Sequence, residues 1–286
     1  MILKQDIINF FFKETKADKY HTFRVLFTVT FIIYLTERFL YAKEWLTNEG
    51  FHLTNTTKMW YHTYIMPTLE VWMIPVFAII IVVSSFLFIF QIRPKLSVTF
   101  LLLVSIYIQS VDPISSFTLN KFYTTFFFLF LVSPEPNAKN KITAFPIRIV
   151  QLTVVVHYCT SGLCKVIHGD WLENPNILWT QVQGIYVTDF GAWMLRITPL
   201  AVWSMTGTVA LLFELFAPIL FYLKKSRKST LIIGFGFHMI IALMMHQLIY
   251  FSLQMISFYI LFLDENTFFS IKVFLRKKLT RSLNHY

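Results

Sequence analysis

At 286 residues, the chain is 56% hydrophobic and only 14% charged, against about 25% charged residues in soluble domains. Its mean hydropathy of +0.60 excludes an ordinary water-soluble globular domain. The formal net charge of +10 does not mark a nucleic-acid binder, because the basic residues sit in short tracts between apolar runs, as cytoplasmic anchors of a membrane protein do.

The first apolar patch, Ile7 to Phe12, is short and is followed by Lys13, Lys16 and Lys19 rather than by a small-residue cleavage site. It reads as an interfacial helix, not a cleavable signal. Eight apolar segments come next, over Thr22–Leu40, Glu70–Gln91, Leu96–Val111, Leu119–Val132, Pro146–Lys165, Pro199–Leu223, Leu231–Gln247 and Ile249–Leu263. A crossing takes about 20 helical residues, range 17–25, so the third, fourth and eighth are short and read as tilted or re-entrant pieces. The predicted class is an all-α integral membrane protein, one transmembrane domain over residues 1–286 with about eight transmembrane helices, no internal repeat and no soluble domain.

With the N-terminus placed in the cytoplasm, only Arg38, Lys43, Lys58, Lys121, Lys165 and Arg196 fall outside, leaving 19 of the 25 Lys and Arg inside. By the positive-inside rule both termini are then cytoplasmic, and the expected site is a bacterial inner membrane. Two outer segments, Tyr41–Thr68 and Val166–Thr198, carry Trp45, Trp60, Tyr61, Trp171, Trp179, Tyr186 and Trp193, residues suited to an interfacial belt. Asn55-Thr-Thr57 fits a glycosylation triplet. The C-terminal Phe268–Leu283 stretch mixes Phe, Val and Leu with five basic residues and reads as an amphipathic helix on an anionic leaflet.

Chemistry concentrates on the fifth segment. Seven residues make nearly two helical turns, so Tyr158, Gly162 and Lys165 share one stripe, with His157, Ser161 and Cys164 on the next. Cys159 and Cys164 are the only cysteines; five helical steps turn them about 140–150° apart, which argues against an intrahelical disulfide, and their spacing fits no metal site. Arg148 lies 17 residues before Lys165, about 26 Å along a helix, so the two mark opposite faces of the hydrocarbon. Lys165 is either an anchor that snorkels to the headgroups or a partly desolvated base. Asp170 and Trp171 cap and anchor the stretch after the fifth segment. Glu214 and His238 sit at similar depths, about 10–14 Å from one boundary, on segments joined by a short basic loop; the expectation is that they pair, as buried charges must. Lys121 and His246 are weaker candidates for an outer vestibule. No Walker loop, GxSxG, HExxH or zinc-type cluster is present, so no mechanistically diagnosable enzyme motif stands out.

Four blocks together resemble the horizontally transferred transmembrane (HTTM) family, which includes vitamin K-dependent gamma-carboxylase. They are Phe23-Arg24-Val-Leu-Phe27 through Glu37-Arg38; Asn120-Lys121-Phe-Tyr123; Tyr158-x3-Gly162-x2-Lys165 leading to Asp170-Trp171; and Phe213-Glu214-Leu-Phe with Gly236-Phe237-His238. The resemblance implies that Lys165 matches the lysine that deprotonates vitamin K hydroquinone, that Glu214 and His238 match an acidic residue and a histidine of the site, and that Tyr158, Gly162 and Trp171 line a cofactor pocket open to the non-cytoplasmic side. Lys121 stands where the carboxylase has a histidine. The family's large lumenal substrate domain is not expected here. The expected function is therefore a carboxylase-like enzyme using a lipophilic quinol such as a vitamin K-type hydroquinone. The alternative is a non-catalytic membrane partner in maturation or export of a secreted peptide, as in small relatives that help mature a peptide toxin. A lipid or small-molecule transporter is a third reading, weakened by the lack of a repeat or a Gly/Pro-broken helix pair.

Overall fold

The computed structural model describes residues 2–50, 66–111 and 118–283. In chain order the elements are α1 (Ile2–Phe12), β1 (Glu14–Lys16), α2 (Asp18–Phe39), α3 (Ala42–Leu46), α4 (Met73–Ile89), α5 (Pro94–Val111), α6 (Thr118–Val132), β2 (Lys141–Thr143), α7 (Phe145–Ile167), α8 (Ile177–Val182), α9 (Asp189–Ile197), α10 (Leu200–Leu220), α11 (Arg227–Met244), α12 (Leu248–Phe258) and α13 (Glu265–Leu283), with a 3-10 turn at Tyr259–Phe262. Each of the eight apolar segments is helical over most of its length. The glycosylation triplet Asn55–Thr57, and most of the first outer segment with Trp60 and Tyr61, lie outside the described residues.

Four of these helices, α5, α7, α10 and α11, are long and apolar enough to cross a membrane. A fifth crossing results if Leu248–Phe262 and Glu265–Phe274, bent by 119° at their junction, form one broken span. α4 and α6 are apolar but shorter, with 17 and 15 residues. The 22-residue α2 is long enough but carries Asp18, Lys19, Arg24, Glu37 and Arg38, too much charge for an unassisted lipid span. The candidate spans leave bare apolar faces, such as Met205, Val209, Leu212 and Phe216 on α10 and Ile232, Ile233 and Ile240 on α11. Exposed apolar surface on that scale suits a lipid solvent and not water.

The chain divides into two compact units, one built from Met1–Lys16 and Arg24–Pro146, the other from Ala17–Phe23 and Ile147–Tyr286. The first has an aromatic core: Phe27, Phe31, Tyr123, Phe126, Phe127 and Phe130 are buried, and Phe27 meets Phe127 edge to face with ring centres 5.4 Å apart. Such edge-to-face contacts add to the burial of large side chains. A polar ribbon that the sequence did not lead us to expect holds its end: β1 and β2 pair antiparallel with Glu14 opposite Thr143 and Lys16 opposite Lys141.

Buried charge in this unit is neutralised locally. The guanidinium of Arg24, its side chain only 3% exposed, lies 4.2 Å over the Phe88 ring and donates to Glu135 at 3.3 Å. Lys95 closes the end of α6: its ammonium donates to the carbonyls of Phe130 at 3.2 Å and Leu131 at 2.6 Å, and also to that of Ser133. The last carbonyls of a helix have no partner within it, and a cation there also complements the helix dipole. Lys95→Met is expected to lower stability by about 1–2 kcal/mol, and Lys95→Arg by less, read as thermal unfolding midpoints of the detergent-purified protein; an unchanged midpoint for Lys95→Met would show that water caps α6 equally well.

The second unit contains the other three long apolar helices, α7, α10 and α11. The segment between α7 and α10 is not loose: Val182, Trp203 and Met244 are buried together, with Trp179, Val187 and Met194 packed against them. Thr188 caps α9, its hydroxyl accepting from the Gly191 N–H.

Candidate functional site

α7 presents its Tyr158–Gly162–Lys165 stripe to α10, as the heptad spacing predicts. Tyr158 meets the Phe213 ring edge-on with centres 5.5 Å apart. Gly162 lies against Leu215 so closely that a Cβ there would come 3.0 Å from its side chain and backbone nitrogen, so the absence of a side chain sets how near the two helices approach. One turn on, Lys165 donates to Glu214 Oε1 at 2.5 Å. The neighbouring stripe points away: Ser161 and Cys164 are exposed, and both cysteines are free thiols.

The ion pair is lopsided. The Glu214 side chain is 7% exposed and that of Lys165 is 23% exposed. The carboxylate is thus enclosed while the lysine is half-buried, its ammonium 4.6 Å from the centre of the Trp171 ring, where a cation gains from the π face. Lys165 also occupies the last turn of α7, the negative end of the helix dipole. Glu214 Oε2 is buried with no hydrogen-bond partner, an acceptor left over in an apolar setting.

Deeper in the unit, Tyr158 Oη lies 2.6 Å from His238 Nε2 and 2.8 Å from Tyr259 Oη. All three are buried, His238 to 1% exposure. Read in one direction, Tyr259 O–H donates to Tyr158, and Tyr158 O–H donates to Nε2, which puts the ring proton on Nδ1. The reverse order puts that proton on Nε2, so the chain can carry hydrogen bonds either way. His238 Nδ1 is buried without a hydrogen-bond partner.

Neither a family model, nor a curated protein, nor a solved structure matches this chain. Its function is therefore read from geometry and chemistry.

Several expected residues converge and others do not. Within the second unit Lys165 meets both Glu214 and Trp171, while Tyr158 and Gly162 pack against Phe213 and Leu215 of α10. His238 joins through Tyr158. The expected direct pairing of Glu214 with His238 does not occur: each is bonded to a different residue of α7. Depth along a helix is legible from spacing, but the direction a side chain takes around its axis depends on which neighbours pack where. Lys121 belongs to the other unit, exposed on the first turn of α6; beside it, Asn120 is buried and accepts a hydrogen bond from Tyr34 Oη at 2.9 Å. His246 is exposed, its backbone N–H bonded to Tyr186. Asp170 is exposed, and its carbonyl accepts from the Asn174 N–H. Tyr259 escaped sequence reasoning because it sits in an apolar run with nothing local to tie it to Tyr158.

Stability should respond unequally to the two partners of the ion pair. Lys165→Met strands the enclosed Glu214 carboxylate and is expected to cost about 3 kcal/mol, whereas Glu214→Leu strands an ammonium on the less enclosed side chain and costs about 1–2 kcal/mol, with the double variant recovering most of the loss. Additive losses in such a cycle, measured by thermal unfolding, would mean the pair is not coupled. At Gly234 a Cβ would run into the Tyr259 hydroxyl and come 3.0 Å from Phe213 Cζ, so Gly234→Ala should displace Tyr259 and cost about 1–3 kcal/mol. A Gly234→Ala protein as stable as the wild type would show that the network yields without loss.

Proposed function

We propose that this chain is a multi-pass membrane protein of the HTTM type, with eight crossings and both termini on the cytoplasmic side of a bacterial inner membrane, whose Lys165–Glu214 pair manages a proton for a lipophilic quinol-like molecule. The observation that carries the reading is the lopsided pair: a half-buried lysine tied to a more deeply buried carboxylate, its ammonium against an aromatic ring, at the end of an apolar helix. Structural anchors need no buried partner, since a snorkelling lysine finds water and headgroups unaided. The sequence blocks that resemble the family and the positive charges of the loops support the topology.

The residues suit a flat aromatic O–H donor. The Trp171 face offers stacking, and the Lys165 amine stands against it to meet a hydroxyl. Bound there, a hydroquinone would supply an oxidisable phenol. In this reading Lys165 acts as a base from its amine form. It then takes the phenolic proton, and the ammonium so formed faces the new phenolate and compensates its charge. The Tyr158–His238–Tyr259 chain holds α7, α11 and the 3-10 turn in register behind this surface.

A second reading, a non-catalytic partner in maturation or export of a secreted peptide, draws on α9. Phe190, Trp193 and Ile197 there are 42%, 48% and 55% exposed on a helix held in place by its cap. One experiment separates the two. Reconstituted protein supplied with vitamin K1 hydroquinone and oxygen is expected to consume it, with Lys165→Ala reducing the rate at least about a hundredfold while the protein remains folded in the membrane. Equal rates for the wild type and Lys165→Ala would remove the base from the reading and leave the peptide partner.

A further inference from the structure

The opposite end of α7 holds a second polar site. A cleft of about 180 Å³ is bordered by Lys19, Arg148, Gln151, Tyr222, Arg227 and the start of α13. We propose that it binds the phosphate group of an anionic ligand, either a phospholipid headgroup or a free phosphate.

The charges support this. Three cations and two carboxylates, Asp264 and Glu265, border the cleft, and both carboxylates are engaged. Glu265 pairs with Lys19 at 2.8 Å, and Asp264 accepts from the Thr267 backbone N–H at 2.8 Å and its hydroxyl at 2.7 Å. Those bonds, with Lys19 nearby, hold the Asp264 carboxyl below its ordinary range, so it stays ionised and the five groups carry a net charge of +1, three cations less two carboxylates. Arg227 spends Nε and Nη2 on the neutral carbonyls of Phe221 and Tyr222, at 3.1 Å each, which leaves Nη1 and the full positive charge. Arg148 donates to the neutral amide oxygen of Gln151 at 2.9 Å.

Backbone dipoles add to the side chains. Arg148 is in the first turn of α7, Arg227 opens α11 and Glu265 opens α13. Three helix N-termini therefore border one cavity, and each places partial positive charge there. The opposing C-terminal carbonyls are already taken: Leu261 accepts from Gln151 at 2.7 Å and Leu263 from Lys19 at 2.6 Å. The volume accommodates one phosphate group. The site is about 26 Å along α7 from Lys165, at headgroup depth if that helix crosses a bilayer, and does not depend on the chemistry proposed for the other end.

The test uses the full chain in nanodiscs of equimolar phosphatidylglycerol and phosphatidylcholine, with retained lipids counted by native mass spectrometry, and a parallel titration with inorganic phosphate in lipid-free dodecyl maltoside followed by phosphorus-31 line width. Preferential retention of phosphatidylglycerol, falling about fivefold in Arg148→Gln and in Arg227→Gln but not in Lys224→Gln, supports the site with a lipid as its source. Saturable phosphate broadening without lipid preference supports it with a soluble source. Equal retention of the two lipids together with no phosphate broadening by the wild-type protein overturns it, whether or not the arginine variants fold. Selectivity that persists in folded Arg148→Gln and Arg227→Gln proteins overturns it as well.

Discussion

A carboxylate two-thirds of the way along a 21-residue apolar helix must be neutralised or solvated, and Glu214 is enclosed by protein. It is met by Lys165 from α7. That contact fixes much else in the second unit. It requires α7 and α10 to lie close, which Gly162 permits. It leaves the lysine's ammonium against the Trp171 ring. It also orients the Tyr158 face of α7 toward the interior, where the phenol reaches His238 and Tyr259. An enclosed ion pair is not in itself a large source of stability, because desolvation offsets most of the attraction. Its weight lies in specificity: any other rotation of α7 would leave a charge without a partner.

Much of the fold was legible. A run of apolar residues flanked by Lys or Arg becomes a helix because every backbone group must be satisfied within it, so the eight segments emerge as helices with edges shifted by a few residues. Whether they cross is a different question. α4 and α6 are a turn short of a usual span, and the last apolar segment kinks into α13. Length and charge do not reveal how a helix tilts or bends. The β1–β2 ribbon was invisible in sequence because three-residue strands have no periodicity to detect, and Glu14 and Thr143 are far apart in the chain.

The site was half legible for a similar reason. Helical spacing put Tyr158, Gly162 and Lys165 on one stripe, and that stripe does face α10. Matching depths suggested Glu214 with His238, yet both turn toward α7, which offers a cation to one and a phenol to the other. Tyr259 and the cleft residues Arg148 and Arg227 drew attention only as anchors or apolar filler, since their convergence depends on three helix ends meeting. Sequence reports what each helix can offer; packing decides who receives it.

The short ribbon between Glu14–Lys16 and Lys141–Thr143 has a consequence for biosynthesis. A translating ribosome delivers the N-terminal strand well over a hundred residues before its mate. Until then the strand after α1 lacks its ribbon partner, while the Phe-rich helices that follow have already been synthesised. Closure of this pairing is a long-range event, so it acts as a late clasp, fastening the first unit only after its apolar helices have been made.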